Sequence, residues 1–284
     1  MALAYKDKVA VITGGGSGIG LAIALAFAKT GASVAILGRD EKKLAAAQKQ
    51  ILEFGKCRIY RADVSNAKQV KKIFSNIHHE FKHIDVLVNC AGLYGPIGLF
   101  HTLDLSAWHS AFAINFLGTA NCVRAVLPFM LKAKKGKIIT LSGGGAVQPF
   151  PNFSAYSTSK AAVVRFTETV AKEYENKNIQ INAIAPGAVN TSVLEQVLKS
   201  GPKKVGEEFY KKSLEQKRMG GDSVENAAEL VLYLCSGQSS NVTGKLISAK
   251  WDGWQKWNKA NLTKIKNSSV YTLRRIDNKY FKQA

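Results

Sequence analysis

Acidic residues are scarce in this chain: 20 Asp and Glu stand against 40 Lys and Arg, a formal charge of +20. Such an excess favours anionic partners, whether nucleic acid, a phosphorylated cofactor or a phosphorylated substrate. The lysines are spread along the whole chain, without aromatics interleaved on one face or loop, which argues against specific nucleic-acid binding. Cysteines are few and solitary. Cys57, Cys90, Cys122 and Cys235 form no CxxC pair, and no histidine cluster has zinc spacing, so reduced, mostly buried thiols and no metal site are expected. Apolar runs of the ~18 residues a membrane span needs are missing, and "MALAYKDKVAV" has no hydrophobic signal core before its charges. A soluble cytoplasmic protein without a membrane partner is the expectation. A Pro/Ser-rich linker and internal repeats are also lacking, so residues 1–250 are taken as one domain and 251–284 as an extension.

What is present alternates. Strand-like runs occur at 8–13, 33–37, 57–61, 85–89, 137–141, 179–185 and 245–248, and amphipathic stretches lie between them at 19–29, 41–54, 66–81, 105–132, 155–175 and 223–234. This order predicts βαβ units: an α/β, doubly wound parallel sheet of about seven strands with helices on both faces. Two segments stand apart, a polar stretch at 190–220 that suits a lid and the Trp-, Lys- and Arg-rich tail.

Between the first strand and the first helix, "TGGGSGIG" places five glycines in residues 14–20. A doubly wound sheet takes a phosphate on the helix N-terminus at this turn. Leu21 after Gly20 excludes a Walker loop, and the spacing is Gly14-xxx-Gly18-x-Gly20, not a strict GxGxxG. The expected division of labour is a tight turn at Gly14, close approach of a pyrophosphate near Gly18, and packing of the helix on the strand at Gly20. At the end of the second strand, where an NAD-binding fold usually holds an acid, stand Gly38 and Arg39. A guanidinium pairs with a 2′-phosphate, so NADP(H) is preferred over NAD(H). The plain alternative is a solvated Arg39 balanced by Asp40. Asp63 at the end of the third strand is placed to accept from an adenine amino group, with Val64 beside the ring. In "NCAG", Gly92 permits close approach of the cofactor, while Asn89 either serves the cofactor or ties down its strand end.

"SAYSTSK" puts Tyr156 and Lys160 at i and i+4 on one helix face. A nearby cation favours the phenolate, and such a pair can exchange a proton with an alcohol oxygen while a nicotinamide exchanges the hydride. With these motifs in this order, residues 6 to 250 resemble the short-chain dehydrogenase/reductase family: Thr13, Gly14, Gly18 and Gly20; Asp63; NCAG where NNAG is common; Asn115; Tyr156 and Lys160; and "PGAVNT" from Pro186. The resemblance implies a Rossmann fold, Tyr156 as acid/base, Lys160 on the nicotinamide ribose, and Asn115 supporting a proton-relay water. It also implies a cofactor cradle of Thr13, Gly14, Gly16, Ser17, Gly18, Ile19, Gly20, Arg39, Asp63, Val64, Asn89, Ala91, Gly92, Pro186, Gly187, Val189 and Thr191, besides Tyr156 and Lys160. A homodimer or homotetramer is implied as well.

One departure stands out. The family usually offers two serines after the fifth strand, the second orienting the substrate carbonyl; here Ser142 fills the first position and Gly143 the second. Ser142 does the work, Ser154 substitutes from the helix start, or the hydroxyl is missing; Ser142 is favoured. The reading is an NADP(H)-dependent oxidoreductase interconverting a ketone and a secondary alcohol. The alternatives are a cofactor-binding protein with weak or lost catalysis, serving redox sensing or as a scaffold, and an epimerase or dehydratase with the same cofactor. The tail after Gln255 carries eight basic residues against Asp277 alone. It either crosses the active-site mouth and binds an anionic group, such as a phosphorylated or nucleotide sugar, or covers an oligomer surface.

Overall fold

A computed structural model describes residues 4–239 and 241–275. Its first half runs β1 (Val9–Thr13), α1 (Gly18–Lys29), β2 (Ser33–Gly38), α2 (Glu41–Leu52), β3 (Cys57–Arg61), α3 (Ala67–Phe81) and β4 (Val86–Asn89). Then follow α4 (Leu105–Phe112), α5 (Gly118–Ala133), β5 (Gly136–Leu141), α6 (Ser154–Glu173) and β6 (Ile179–Ala185). The chain continues through α7 (Ser192–Ser200), α8 (Pro202–Val205), α9 (Glu207–Met219), α10 (Val224–Cys235), β7 (Leu246–Ser248) and α11 (Lys259–Lys266). The strands form one seven-stranded parallel sheet in the order β3-β2-β1-β4-β5-β6-β7. This is the expected doubly wound Rossmann fold.

Alternation along the strands explains the two layers. Ala10, Ile12, Val34 and Ile36 face a core shared with Phe27 of α1, Leu44 of α2 and Val231 of α10. Their neighbours Val11, Ala35 and Leu37 face the opposite core, with Phe74 of α3 and Met130 of α5. Both faces are buried, so the strands are continuous apolar runs. The order reverses between β1 and β4, which opens the crevice at their C-terminal ends. There the Thr13 hydroxyl accepts from the backbone of Cys90 and Ala91, 3.0 Å each, and ties the two loops together.

The periodicity at 105–132 predicts one helix, but a π turn at Ala113–Leu117 interrupts it at Asn115. Wide turns of this kind often accompany functional residues. Although Leu105–Ala133 is long and apolar enough to cross a membrane, half of that window is buried, with Cys122, Val123, Val126 and Met130 in the core. The polar stretch after Asn190 forms α7, α8 and α9 beside the crevice mouth. His78, half-buried on α3, stacks on Phe129 at 4.4 Å.

Past β7 the chain folds back on the sheet edge. Leu246 donates to the Tyr271 carbonyl at 2.8 Å, Lys245 to those of Ser268 and Val270, and Trp254 is buried against Tyr233. The basic residues Lys279 and Lys282, with Asp277, lie outside the described residues.

Candidate active site

Gly14 takes φ +69°, and a Cβ there would come within 3.0 Å of the Ala91 backbone. The glycine turn and NCAG are therefore in contact. At Gly20 a Cβ would fall 2.3 Å from the Gly14 carbonyl oxygen, so this glycine serves the turn and not, as its position suggested, the packing of helix on strand. Thr191 caps α7 and lies against Gly18, bringing "PGAVNT" to the same place.

The mouth of this turn suits a phosphate. Ser17 caps α1 without a side-chain hydrogen bond, which leaves first-turn N–H groups and the positive end of the helix dipole directed outward. Asn89 is 3% exposed, yet neither atom of its amide has a partner, so its side chain does not tie down the strand end. Such groups are expensive to leave unmade and fit a ligand that pairs with them. Asp40 is occupied as the cap of α2, accepting from Lys43, and does not balance Arg39. The Asp63 carboxylate accepts from Ser65 N and Oγ, and these bonds, with the nearby Arg39 cation as a smaller cause, hold its carboxyl below the usual range. Val64 is 6% exposed and packs over Gly118.

On the other side, Tyr156, Lys160, Ser142 and Gly143 line one cleft of about 730 Å³, together with Ile19, Gly92, Pro186, Gly187, Val189 and Thr191. Lys160 Nζ donates to the Leu141 carbonyl at 2.7 Å and stands 5.8 Å from the Tyr156 ring centre. Burial lowers Lys160 to about 8. Burial, then Tyr94, raises Tyr156 above its ordinary value, opposite to the expected lowering by the lysine. Burial penalises the charged form of each group, the ammonium of Lys160 and the phenolate of Tyr156.

Asn115 is fully buried, and its side chain is committed. Oδ1 accepts from Leu93 N at 2.9 Å, while Nδ2 donates to Leu93 O and to Ser159 Oγ, also 2.9 Å each. It clamps the loop after NCAG to the helix bearing Tyr156 and Lys160, so its side chain is a positioning group.

Of the three serine alternatives, the geometry favours Ser142. Its hydroxyl lies in the cleft lining, buried and without a partner. Ser154 instead accepts from Trp108 Nε1 at 3.1 Å, and it is not in that lining. Gly143 is extended, but a Cβ on it would sit 2.2 Å from the Tyr156 hydroxyl oxygen. No side chain fits there while Tyr156 keeps its place.

The profile of the short chain dehydrogenase family matches residues 8–201. The chain belongs to the short-chain dehydrogenase family. As a member it is an NAD(P)-dependent oxidoreductase. Its sequence is 32% identical over 253 residues to 2,3-dihydro-2,3-dihydroxybenzoate dehydrogenase of Bacillus subtilis, covering 85% of this chain and 94% of that one. To a 3-oxoacyl-(acyl-carrier-protein) reductase of Thermotoga maritima it is 33% identical over 241 residues, covering 84% and 95%. A crystal structure of NAD+-bound xylitol dehydrogenase superposes with a TM-score of 0.80 at 28% identity, covering 86% of this chain and 98% of that one.

Several lining residues escaped the motif reading: Cys90, Tyr94, Phe150, Phe209, Trp251 and Tyr271. Cys90 carried a signal as the departure within NCAG, and Trp251 and Tyr271 belong to the tail that the sequence offers as one crossing the active-site mouth; burial pushes the Cys90 thiol up to about 11. The rings are scattered through loops and α9, with no spacing to mark them.

Proposed function

We infer that this oxidoreductase interconverts a ketone and a secondary alcohol with NADP(H) in preference to NAD(H). The observation that carries the reading is the shared cleft in which the Tyr156 hydroxyl lies against Gly143 and beside the buried, unpartnered Ser142 hydroxyl. A nicotinamide dinucleotide, when bound, supplies the hydride donor or acceptor. The glycine turn, the open N-terminus of α1, Asn89 and the 186–191 segment hold it. Tyr156, kept protonated by burial, gives its proton to the oxygen that becomes the alcohol, and Ser142 donates a hydrogen bond to the same oxygen. Lys160 fixes the cofactor's ribose side of the cleft and, through Leu141, the strand end beside Ser142. Asn115 keeps the Tyr156 helix and the Leu93 loop in register.

NADP(H) preference rests on Arg39, whose neighbour Asp40 is engaged elsewhere, and on the absence of an acid at Gly38. Residues 1–250 act as the catalytic domain, with α7 to α9 as its lid. Exposed Leu99, Phe100, Leu105 and Leu117 support a homodimer or homotetramer, and the burial of α5 in the core argues against that helix spanning a membrane.

The deciding experiment is a fluorescence titration with NADPH and NADH at moderate salt, for wild type and Arg39→Asp. Wild type should bind NADPH at least about tenfold more tightly, and the variant should lose or invert that ratio. Equal affinities in wild type would sink the Arg39 argument, and failure of both nucleotides to bind would sink the reductase reading.

A further inference from the structure

Beyond the motif residues the cleft has a second wall, which no family motif supplies. Tyr94, Phe150 and Phe209 form one side: Tyr94 meets Tyr156 edge to face at 4.6 Å, and Phe150 meets Phe209 at 4.9 Å. Residues after β7 line the same cleft, namely Lys250, Trp251, Asp252, Tyr271 and Thr272. Trp251 stands 75% exposed at the mouth. Tyr271 is held at φ +61°, a conformation unfavourable for a bulky side chain. What maintains it is local: its carbonyl accepts from Leu246, its ring stacks on Trp257 at 5.6 Å, and Leu273 donates to Glu168 at 2.6 Å.

Charge in this cleft is balanced. Its lining cations are Lys160, which donates to Leu141, and Lys250, which pairs with Asp222 at 2.8 Å; the lining acids are Asp222 and Asp252. A phosphorylated substrate would carry nearly two negative charges past two carboxylates into an apolar space, where the one lining cation without a carboxylate partner among the described residues, Lys160, donates to Leu141 and is the group the reading above gives to the cofactor. The +20 charge of the chain is not concentrated here.

We propose that the segment after β7, through Trp251 and Tyr271, forms the substrate wall of the cleft and selects an uncharged, ring-containing ketone or its alcohol. Flat rings stack and meet edge on at low entropic cost, and a cleft lined by rings from separate segments suits a cyclic ligand more than a flexible polyol. This proposal rests on the reductase reading for the location of the reacting carbonyl. It also replaces the phosphorylated or nucleotide sugar expected from the tail's charge.

Its test uses the full chain and two probes, 2-tetralone as an uncharged bicyclic ketone and dihydroxyacetone phosphate as the anion. Calorimetric affinity is measured for NADPH-loaded Tyr156→Phe, and steady-state kinetics for chains with intact Tyr156. The tetralone should bind at least about tenfold more tightly than the phosphate ester, and Trp251→Ala and Tyr271→Ala should each raise its KM about tenfold more than they change kcat. Thermal melts and NADPH affinity check that both variants remain folded. Preference for the phosphate ester, binding of neither probe, or two neutral variants overturns the proposal. Tetralone binding without turnover in wild type sinks the reductase reading alone, whereas turnover that ignores both variants sinks this proposal alone.

Discussion

Around the glycine turn, side chains are excluded: a Cβ at Gly20 would touch the Gly14 carbonyl oxygen, and one at Gly14 the Ala91 backbone. Across the crevice the reverse holds. Tyr94, Phe150, Phe209, Tyr271 and Trp251 occupy space with rings, and the groups we propose as reacting are the side chains of Tyr156, Lys160 and Ser142. In the proposed reading one half meets its ligand with backbone, where there is no room for a side chain, and the other meets it with side chains. Gly143 belongs to the second half by position but obeys the logic of the first, because the Tyr156 hydroxyl fills the space a side chain would need.

Six substitutions test this contrast. The largest effect is expected for Tyr156→Phe, which removes one oxygen and leaves the rings in place. Turnover should fall about 10³-fold or more while NADPH affinity and near-UV circular dichroism stay the same; loss of binding as well would place Tyr156 in the cofactor half. Next, Ser142→Ala should cost about 10²–10³ in kcat, and Ser154→Ala should leave it close to wild type, as stopped-flow turnover with any accepted ketone will show. Gly143→Ser, which restores the usual family residue, should lower activity and not raise it, because it displaces the Tyr156 hydroxyl.

In the backbone half, Gly20→Ala adds a single methyl group. It should destabilise the chain by about 1–3 kcal/mol by denaturant melts and weaken NADPH binding along with stability, whereas Tyr156→Phe separates the two. The smallest effect is a pH dependence. Lys160 is lowered to about 8 from its ordinary 10.5. Between those values the unfolded chain binds more protons than the folded one, so this group's contribution to stability rises with pH across that window and is flat below it. Thermal melts of wild type against Lys160→Met from about pH 7 to about pH 10.5 should show wild type gaining on the variant; parallel curves would refute the burial argument for Lys160.

Legibility followed the same division. The glycine turn, NCAG, the YxxxK pair and "PGAVNT" were readable because each imposes a local requirement, a positive φ, a close approach or an i,i+4 face. Asp40 shows where local reading stops: beside Arg39 it looked like a counter-ion, but it caps α2. Asn115 was readable as a site residue, yet its clamp on Leu93 depends on a loop 22 residues earlier. The serine question was undecidable along the chain, because Ser142 and Ser154 differ only in what they face. Tyr94 and Phe209 were invisible for the same reason, whereas Tyr271 was legible only as part of a tail with two possible destinations.

By itself the sequence determined the alternation of strands and helices, hence the doubly wound sheet, and the glycines and the tyrosine–lysine pair that mark its crevice. These are short-range constraints, set by backbone sterics and by the periods of strand and helix. Tertiary structure decided which serine enters the cleft, the direction in which burial moves Tyr156, and the return of the segment after β7 to wall the same cavity. Burial and long-range contact are properties of neighbours, and a linear chain does not name its neighbours until it has folded.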